Sequence, residues 1–242
     1  MRENAPKEFI EYLKKDINEL REDLLGKYYE KANNKEEPDP FMGVEQPKDI
    51  KLLKNRVRAF YLVSHAEIQS YLEYICDYHL KYAYKKYTEK GEISKLLLFF
   101  LSTYSQGFIQ PSYYNVDPNR AENSNKKLHD TDSIEKRYEY IKKEYNKTIE
   151  ENNGVKKKNL YLLLHPLGIT VNSFEELKMT SLLDEFGKQR GEFAHTALHR
   201  TVFKTVPGSQ IIDIDIIYKT IDEITTSIEF ELLPLLNSLV EQ

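Results

Sequence analysis

Residues 57–82 carry the sequence VRAFYLVSHAEIQSYLEYICDYHLKY, and this stretch decides the fold. Its apolar and aromatic side chains recur every three or four residues, which is the spacing of one face of an α-helix. That face runs through Val57, Phe60, Tyr61, Ser64, Ile68, Tyr71, Ile75, Tyr78 and Tyr82. The pattern ends before Gly91, and its length predicts the central helix of the protein.

Segments on both sides of this helix show the same period. Those predicted as helices are residues 7–31, 95–104, 134–149, 173–199 and 217–239. Thr131, Asp132 and Ser133 precede one helix as candidate caps, a capping box at 173–176 begins another, and Pro234 is expected to kink the last. Residues 159–164 are short and apolar, which suits either the last turns of a helix or a brief strand.

Together these segments predict an all-α fold, a helical bundle of about six or seven helices. Residues 110–130 lose all periodicity and are expected to form a long loop insertion. We divide the chain into an N-terminal helix and loop over residues 1–50 and a bundle over residues 51–242. Both parts are expected to belong to one structural unit.

Composition narrows the class of protein. The chain has 242 residues, of which 40% are hydrophobic and 31% are charged, a balance that suits neither a disordered chain nor a membrane protein. The longest apolar run, residues 96–101, is far shorter than a bilayer span, and residues 1–4 lead into a charged helical pattern without an apolar leader. We therefore expect a cytoplasmic protein. Cys76 is the single cysteine, which excludes an internal disulfide and a zinc site built on two thiolates.

Charge is distributed unevenly although the net charge is only −4. Residues 51–90 hold eight basic and four acidic side chains, whereas residues 201–242 hold two basic and seven acidic ones. The basic segment suits either a nucleic-acid-binding face or a solvated outer face. The same choice applies to the tyrosines of residues 71–82, as base-stacking or core side chains, and to the lysines of residues 156–158, as phosphate contacts or a solvated loop.

The segment RGEFAH at residues 190–195 places an arginine and a histidine five residues apart in a helical context. An imidazole can take a proton from a ribose 2′-hydroxyl or give one to the leaving 5′-oxygen, and a guanidinium can hold the phosphate as negative charge grows. This pair is suited to RNA phosphodiester cleavage without a metal. A structural interpretation is also open, in which His195 is buried against a backbone carbonyl and Arg190 reaches solvent.

The spacing of five sets a geometric condition on such a site. On an ideal helix it turns Arg190 and His195 about 140° apart. Either the helix is irregular at Gly191, or a second chain completes the site across a two-fold axis.

Metal chemistry has weaker support in the sequence. His195 and His199 are four residues apart, which allows metal binding, but Thr196 stands where a metalloprotease helix needs glutamate. The segment at residues 65–67 echoes the first half of a zinc deaminase motif, but the second half needs two cysteines. We predict neither a metal nor a cofactor.

The RGEFAH segment resembles the R-x4-H signature of HEPN domains. Residues 58–71, RAFYLVSHAEIQSY, are similar to the long helix of that family, which carries an acidic residue after an apolar run. The stretch at residues 160–169 is most like the RiboL-PSP type, and the resemblance spans roughly residues 50–235.

The resemblance implies a small helical bundle that dimerises and, in active members, cleaves RNA without metal, often as a toxin or an antiviral effector. Arg190 and His195 would be the catalytic pair and Glu67 the acidic residue that orients one of them. The expected products carry a 2′,3′-cyclic phosphate or a 3′-phosphate. RNA, a second copy of the chain and an antitoxin or defence-system protein are the expected partners, and no membrane is involved.

Further basic residues are predicted as RNA contacts, namely Arg58, Lys188, His199 and Arg200. Two positions depart from the family pattern. Gly191 stands where the family often has asparagine or another polar residue, and Ala197 replaces the tyrosine of the R-x4-H-x-Tyr variant. The alternative is therefore a catalytically inactive HEPN-like module that binds a protein partner or a nucleotide.

Overall fold

A computed structural model describes residues 5–32, 47–105, 133–195 and 214–242. At a few helix ends, residues 192–195 among them, it describes the backbone only. The α-helices are α1 (Ala5–Ala32), α2 (Pro47–Lys90), α3 (Lys95–Ser105), α4 (Ile134–Glu150), α5 (Lys157–Leu164), α6 (Val171–Glu176), α7 (Lys178–His195), α8 (Ile214–Ser227) and α9 (Leu233–Glu241). The described residues contain no strand, and the predicted all-α bundle is confirmed. The insertion predicted at 110–130 lies outside them.

Helix α2 is the centre of the bundle. It packs against α1, α3, α5, α7, α8 and α9, because its apolar residues cover most of its circumference. Phe60, Ile68 and Ile75 are fully buried, as the stripe predicts. The helix ends at Gly91, whose φ of 72° places it in the left-handed region and whose N–H donates to the carbonyl of Tyr87 at 2.8 Å.

Helix α1 shares the core of the bundle. Its residues Ile10 and Ile17 are buried against α2 and α8. The Tyr71 hydroxyl donates to the carbonyl of Pro6 at 2.9 Å, and the Tyr218 hydroxyl donates to Oδ1 of Asn18 at 2.6 Å. The boundary drawn between residues 50 and 51 falls inside α2, which begins four residues earlier.

The segment with ambiguous periodicity is helical. Residues 157–164 form α5, which lies against α4, α2 and α7. The Tyr145 hydroxyl of α4 donates to the carbonyl of Leu163 at 2.6 Å. The turn before α5 is tied to α2, since Asn152 donates to Oε1 of Glu73 at 2.6 Å. A strand would leave its backbone groups unpaired at this position, whereas a helix pairs them internally.

The capping box predicted at residues 173–176 is wrong. Thr170 caps the helix instead, accepting a hydrogen bond from the N–H of Ser173 at 3.3 Å, so Ser173 lies inside the first turn of α6. Leu177, with ψ of 116°, then breaks the chain direction and α7 begins at Lys178. Two helices therefore stand where one was expected.

Residues 228–232 form a π-helical turn between α8 and α9. Pro234 follows it directly, in the first turn of α9. A proline has no N–H to offer the carbonyl four residues before it, and the wider π-turn accommodates that gap. The kink expected at Pro234 thus takes the form of a widened turn. Among the described helices, none is both long and apolar enough to cross a membrane.

Candidate active site

Helix α7 carries the RGEFAH segment and is anchored at its start. The N–H of Met179 donates to Oγ of Ser227 at 3.0 Å, and the N–H of Lys178 donates to Oε2 of Glu231 at 2.9 Å. Both acceptors come from the α8 and π-turn region, and they satisfy N–H groups that a helix start leaves unpaired. The direction of α7 is therefore fixed from its first turn.

The backbone of α7 is helical without interruption from Lys178 to His195. Gly191 is not a point of irregularity, so the first of the two geometric options is excluded. Positions 190 and 195 lie about 140° apart around this helix. The two positions therefore lie on different sides of the helix.

The side of α7 that carries Arg190 packs against α2. Tyr61 and Phe186 have ring centroids 4.3 Å apart, and the Tyr61 hydroxyl donates to the carbonyl of Phe186 at 2.8 Å. The ring of His65 stacks on Phe186 with centroids 5.8 Å apart and planes at 22°. Arg190 follows Phe186 by one helical turn and is half-buried.

His65 is the buried histidine of this contact, with a relative exposure of 2%. Burial, and then the charge of Arg190, lowers its pKa from 6.5 to about 4. The imidazole is therefore neutral at pH 7. Its Nε2 atom and the hydroxyl of neighbouring Ser64 are buried without a hydrogen-bond partner among the described residues. An unsatisfied buried polar atom is costly, so Nε2 of His65 marks this contact as unusual for a packing interface.

Another side of α7 lacks side chains at two positions, which are occupied by glycines. A Cβ on Gly187 would lie 2.8 Å from Cγ of Lys156 and 3.2 Å from its backbone nitrogen. A Cβ on Gly191 would lie 4.0 Å from Nζ of the same lysine. The Lys156 side chain thus runs along α7 from one glycine to the next.

The sequence-predicted catalytic residues are only partly brought together. Arg190 lies at the contact with α2, and the backbone of His195 ends α7 while its side chain lies outside the described residues. Glu67 is exposed and does not reach Arg190. Glu67 follows His65 by two residues, which is about 200° of helical rotation. It therefore lies on a different side of α2 from the side that packs against α7. The charge of Arg190 instead acts on His65 of α2.

The predicted RNA contacts are also only partly brought together. Arg58 is half-buried on the α2 face that also carries Tyr61 and His65. Lys188 is exposed and pairs with Asp184 at 2.6 Å. His199 and Arg200 lie outside the described residues, as does the pair His195 and His199 considered for metal binding. Within the described part of the chain, no group of three or more metal-ligating side chains is assembled.

The tyrosine stripe of α2 is mainly a packing feature. Tyr71 and Tyr78 are buried, and the Tyr74 ring lies 4.5 Å from Phe9 of α1, measured between centroids. The adjacent Lys81 pairs with Asp77 at 2.6 Å. Rings in this arrangement stabilise the contact between α1 and α2, and they are not spread for base stacking.

Sequence reasoning missed His65 at this site, and it named Lys156 only as one of three lysines that suit either phosphate contacts or a solvated loop. His65 stands four residues after Tyr61 in the apolar stripe, and a polar residue in such a stripe is a signal that could have singled it out.

Comparison of the chain with protein-family models, with curated proteins and with solved structures gives no match.

Proposed function

We propose that the chain is a metal-independent endoribonuclease of HEPN type, acting in the cytoplasm as a toxin or as an antiviral, abortive-infection effector. The observation that carries the proposal is the placement of Arg190. It is a half-buried guanidinium one turn beyond Phe186, near a neutral imidazole, on a helix that continues to His195. A permanently charged fork in such a place is suited to hold a phosphate.

The proposed reaction is transfer of the phosphate within the RNA chain. The ribose 2′-oxygen forms a bond to phosphorus, and the bond from phosphorus to the 5′-oxygen breaks. His195 takes the proton of the 2′-hydroxyl, and water gives a proton to the leaving 5′-oxygen. Arg190 stabilises the charge on the non-bridging oxygens. The first product is a 2′,3′-cyclic phosphate, which water opens to a 3′-phosphate.

The winding of α7 supports a homodimer. An uninterrupted helix places positions 190 and 195 about 140° apart, so we expect the two groups that act on one phosphate to come from different chains. A two-fold axis beside α7 would bring Arg190 of one chain to His195 of the other. A partner protein, an antitoxin or a defence-system component, would hold the activity in check.

The second candidate function is a catalytically inactive HEPN-like module that binds a protein partner or a nucleotide. Gly191 favours it, since no side chain at that position can supply a helper hydrogen bond. The net charge of −4 also favours it over a strong RNA binder.

Cleavage of RNA in EDTA tests the proposal. We expect the purified chain to cut RNA with chelator present and to leave cyclic or 3′-phosphate ends. His195→Ala, purified in the same way, should lose at least about a hundredfold in rate, because it removes the proton-transfer group. Circular dichroism of the variant checks the fold. A variant with the rate of the parent would overturn the assignment, and a dimer that binds RNA without cutting it would support the inactive module.

A further inference from the structure

Lys156 is held in place at its base. Its backbone is the N-cap of α5, with its carbonyl accepting from the N–H of Leu160 at 3.0 Å. The N–H of the next residue, Lys157, donates to Oδ1 of Asp184 on α7 at 3.1 Å. This bond pins the start of α5 to α7. The Lys156 side chain therefore leaves a fixed point and lies against Gly187, where no Cβ stands in its way.

The neighbouring cations Lys157 and Lys188 are paired with carboxylates. Lys157 is bound to Glu175, and Lys188 to Asp184. For the Lys156 side chain the described residues provide neither a hydrogen bond nor an ion pair. Its ammonium lies beside Gly191, next to the RGEFAH segment, and no described side chain compensates its positive charge.

This charge lies on the His195 side of α7. Position 195 follows Gly191 by four residues, which is about 40° of rotation, whereas Arg190 lies about 100° from Gly191. Lys188 also lies on that side but is paired with Asp184, so among the described residues Lys156 is the cation there without an ion pair, and Arg190 lies elsewhere on the helix. The missing side chain at Gly191 also makes room for the ammonium.

Resting on the proposed function, we infer that Lys156 is a second phosphate-binding residue of the same site. It binds the scissile phosphate of RNA at the site where His195 of the same chain acts. Arg190 of that chain binds the phosphate at the other site, where the partner's His195 acts. An ammonium is a point charge, so it stabilises the non-bridging oxygens without demanding a fixed fork geometry. Lys156 forms and breaks no covalent bond.

The matched variants are Lys156→Gln, Lys156→Arg and Lys158→Gln. Lys158 is exposed two residues away in the first turn of α5, so its replacement removes the same charge from the start of that helix but not from beside the two glycines of α7. We expect Lys156→Gln to lower kcat/KM for RNA cleavage in EDTA by about 10- to 100-fold, as loss of a transition-state charge contact does. Lys156→Arg should retain most of the activity, and Lys158→Gln should stay within about twofold of the parent. Urea unfolding of all three checks that the fold is kept.

A binding measurement separates this inference from the proposed function. A short RNA is titrated against His195→Ala and against His195→Ala with Lys156→Gln, at several salt concentrations. The second variant should bind more weakly and show a salt slope lower by about one. Equal affinity and slope, or equal kcat/KM of the Lys156→Gln and Lys158→Gln variants, would overturn the inference. Weaker binding by a protein that never cuts RNA would overturn the nuclease and leave Lys156 as a phosphate contact. No binding by either variant overturns both.

Discussion

The guanidinium of Arg190 acts on the buried imidazole of His65, and its charge adds to burial in lowering the pKa of His65 to about 4. The unfolded chain takes up a proton on this residue below about pH 6.5, whereas the folded chain does not until about pH 4. The contribution of His65 to the free energy of unfolding is therefore complete above about pH 6.5, and it decreases as the pH falls from about 6.5 to about 4. Between pH 7 and pH 5 the loss is about 2 kcal/mol.

We expect His65→Phe to remove this part of the pH dependence, since phenylalanine keeps the stacking on Phe186 and cannot be protonated. Urea unfolding at pH 7 and pH 5 measures it. His79 is also buried with a lowered pKa and contributes in both proteins, so the difference between parent and variant isolates His65. Identical losses of stability in the two would contradict the prediction.

Gly187→Ala should destabilise the protein relative to Gly191→Ala by about 1–3 kcal/mol. At Gly187 the new methyl group would meet Cγ and the backbone nitrogen of Lys156, at 2.8 and 3.2 Å. At Gly191 the nearest atom is 4.0 Å away, and alanine there should stabilise α7 by up to about 1 kcal/mol through helix propensity. Urea midpoints of the two variants give the comparison. Equal midpoints would mean that the start of α5 is not packed closely against α7 at Gly187.

Ser227→Ala should cost about 1–2 kcal/mol, because it leaves the N–H of Met179 without its acceptor in a buried place. Thr226→Ala is the matched control, since Thr226 is exposed one residue earlier on the same helix. Thermal or urea unfolding distinguishes them. If the two variants unfold alike, Ser227 does not anchor the start of α7.

Mixing two inactive variants tests the composite site. If each site is composite as proposed, Arg190→Gln and His195→Ala should each lose activity alone, whereas a mixed dimer should retain one site with an intact arginine from one chain and an intact histidine from the other. With random exchange of subunits, we expect about a quarter of the parental rate to return. No recovery after verified exchange would show that one chain supplies both groups.

Most of the helical architecture could be predicted from periodicity, because amphipathic helices repeat their apolar residues every three or four positions. The start of α7 could not. Ser173 has the composition of a cap, yet Thr170 stands in the extended conformation that capping requires, and Leu177 breaks the helix without glycine or proline. Such local competition is decided by packing, which single-residue preferences do not contain.

Only the part of the site that lies within one short segment of sequence could be predicted. Arg190 and the histidine five residues later belong to one segment, so spacing alone drew attention to them. Lys156 and His65 reach α7 from α5 and α2, and their distance from it is set by glycines and ring packing that no local pattern reveals. Glu67 was predicted from its position in a family pattern, but the pitch of α2 turns it to solvent.

The π-turn at residues 228–232 holds one more residue than an α-turn would. Because the wider turn absorbs that residue, deleting one residue there would leave an ordinary turn, with Leu236 and Val240 still directed into the core. The same deletion within α8 would rotate everything downstream by about 100° and move Glu231 away from the N–H of Lys178. A one-residue deletion should therefore be tolerated in the π-turn and not in α8.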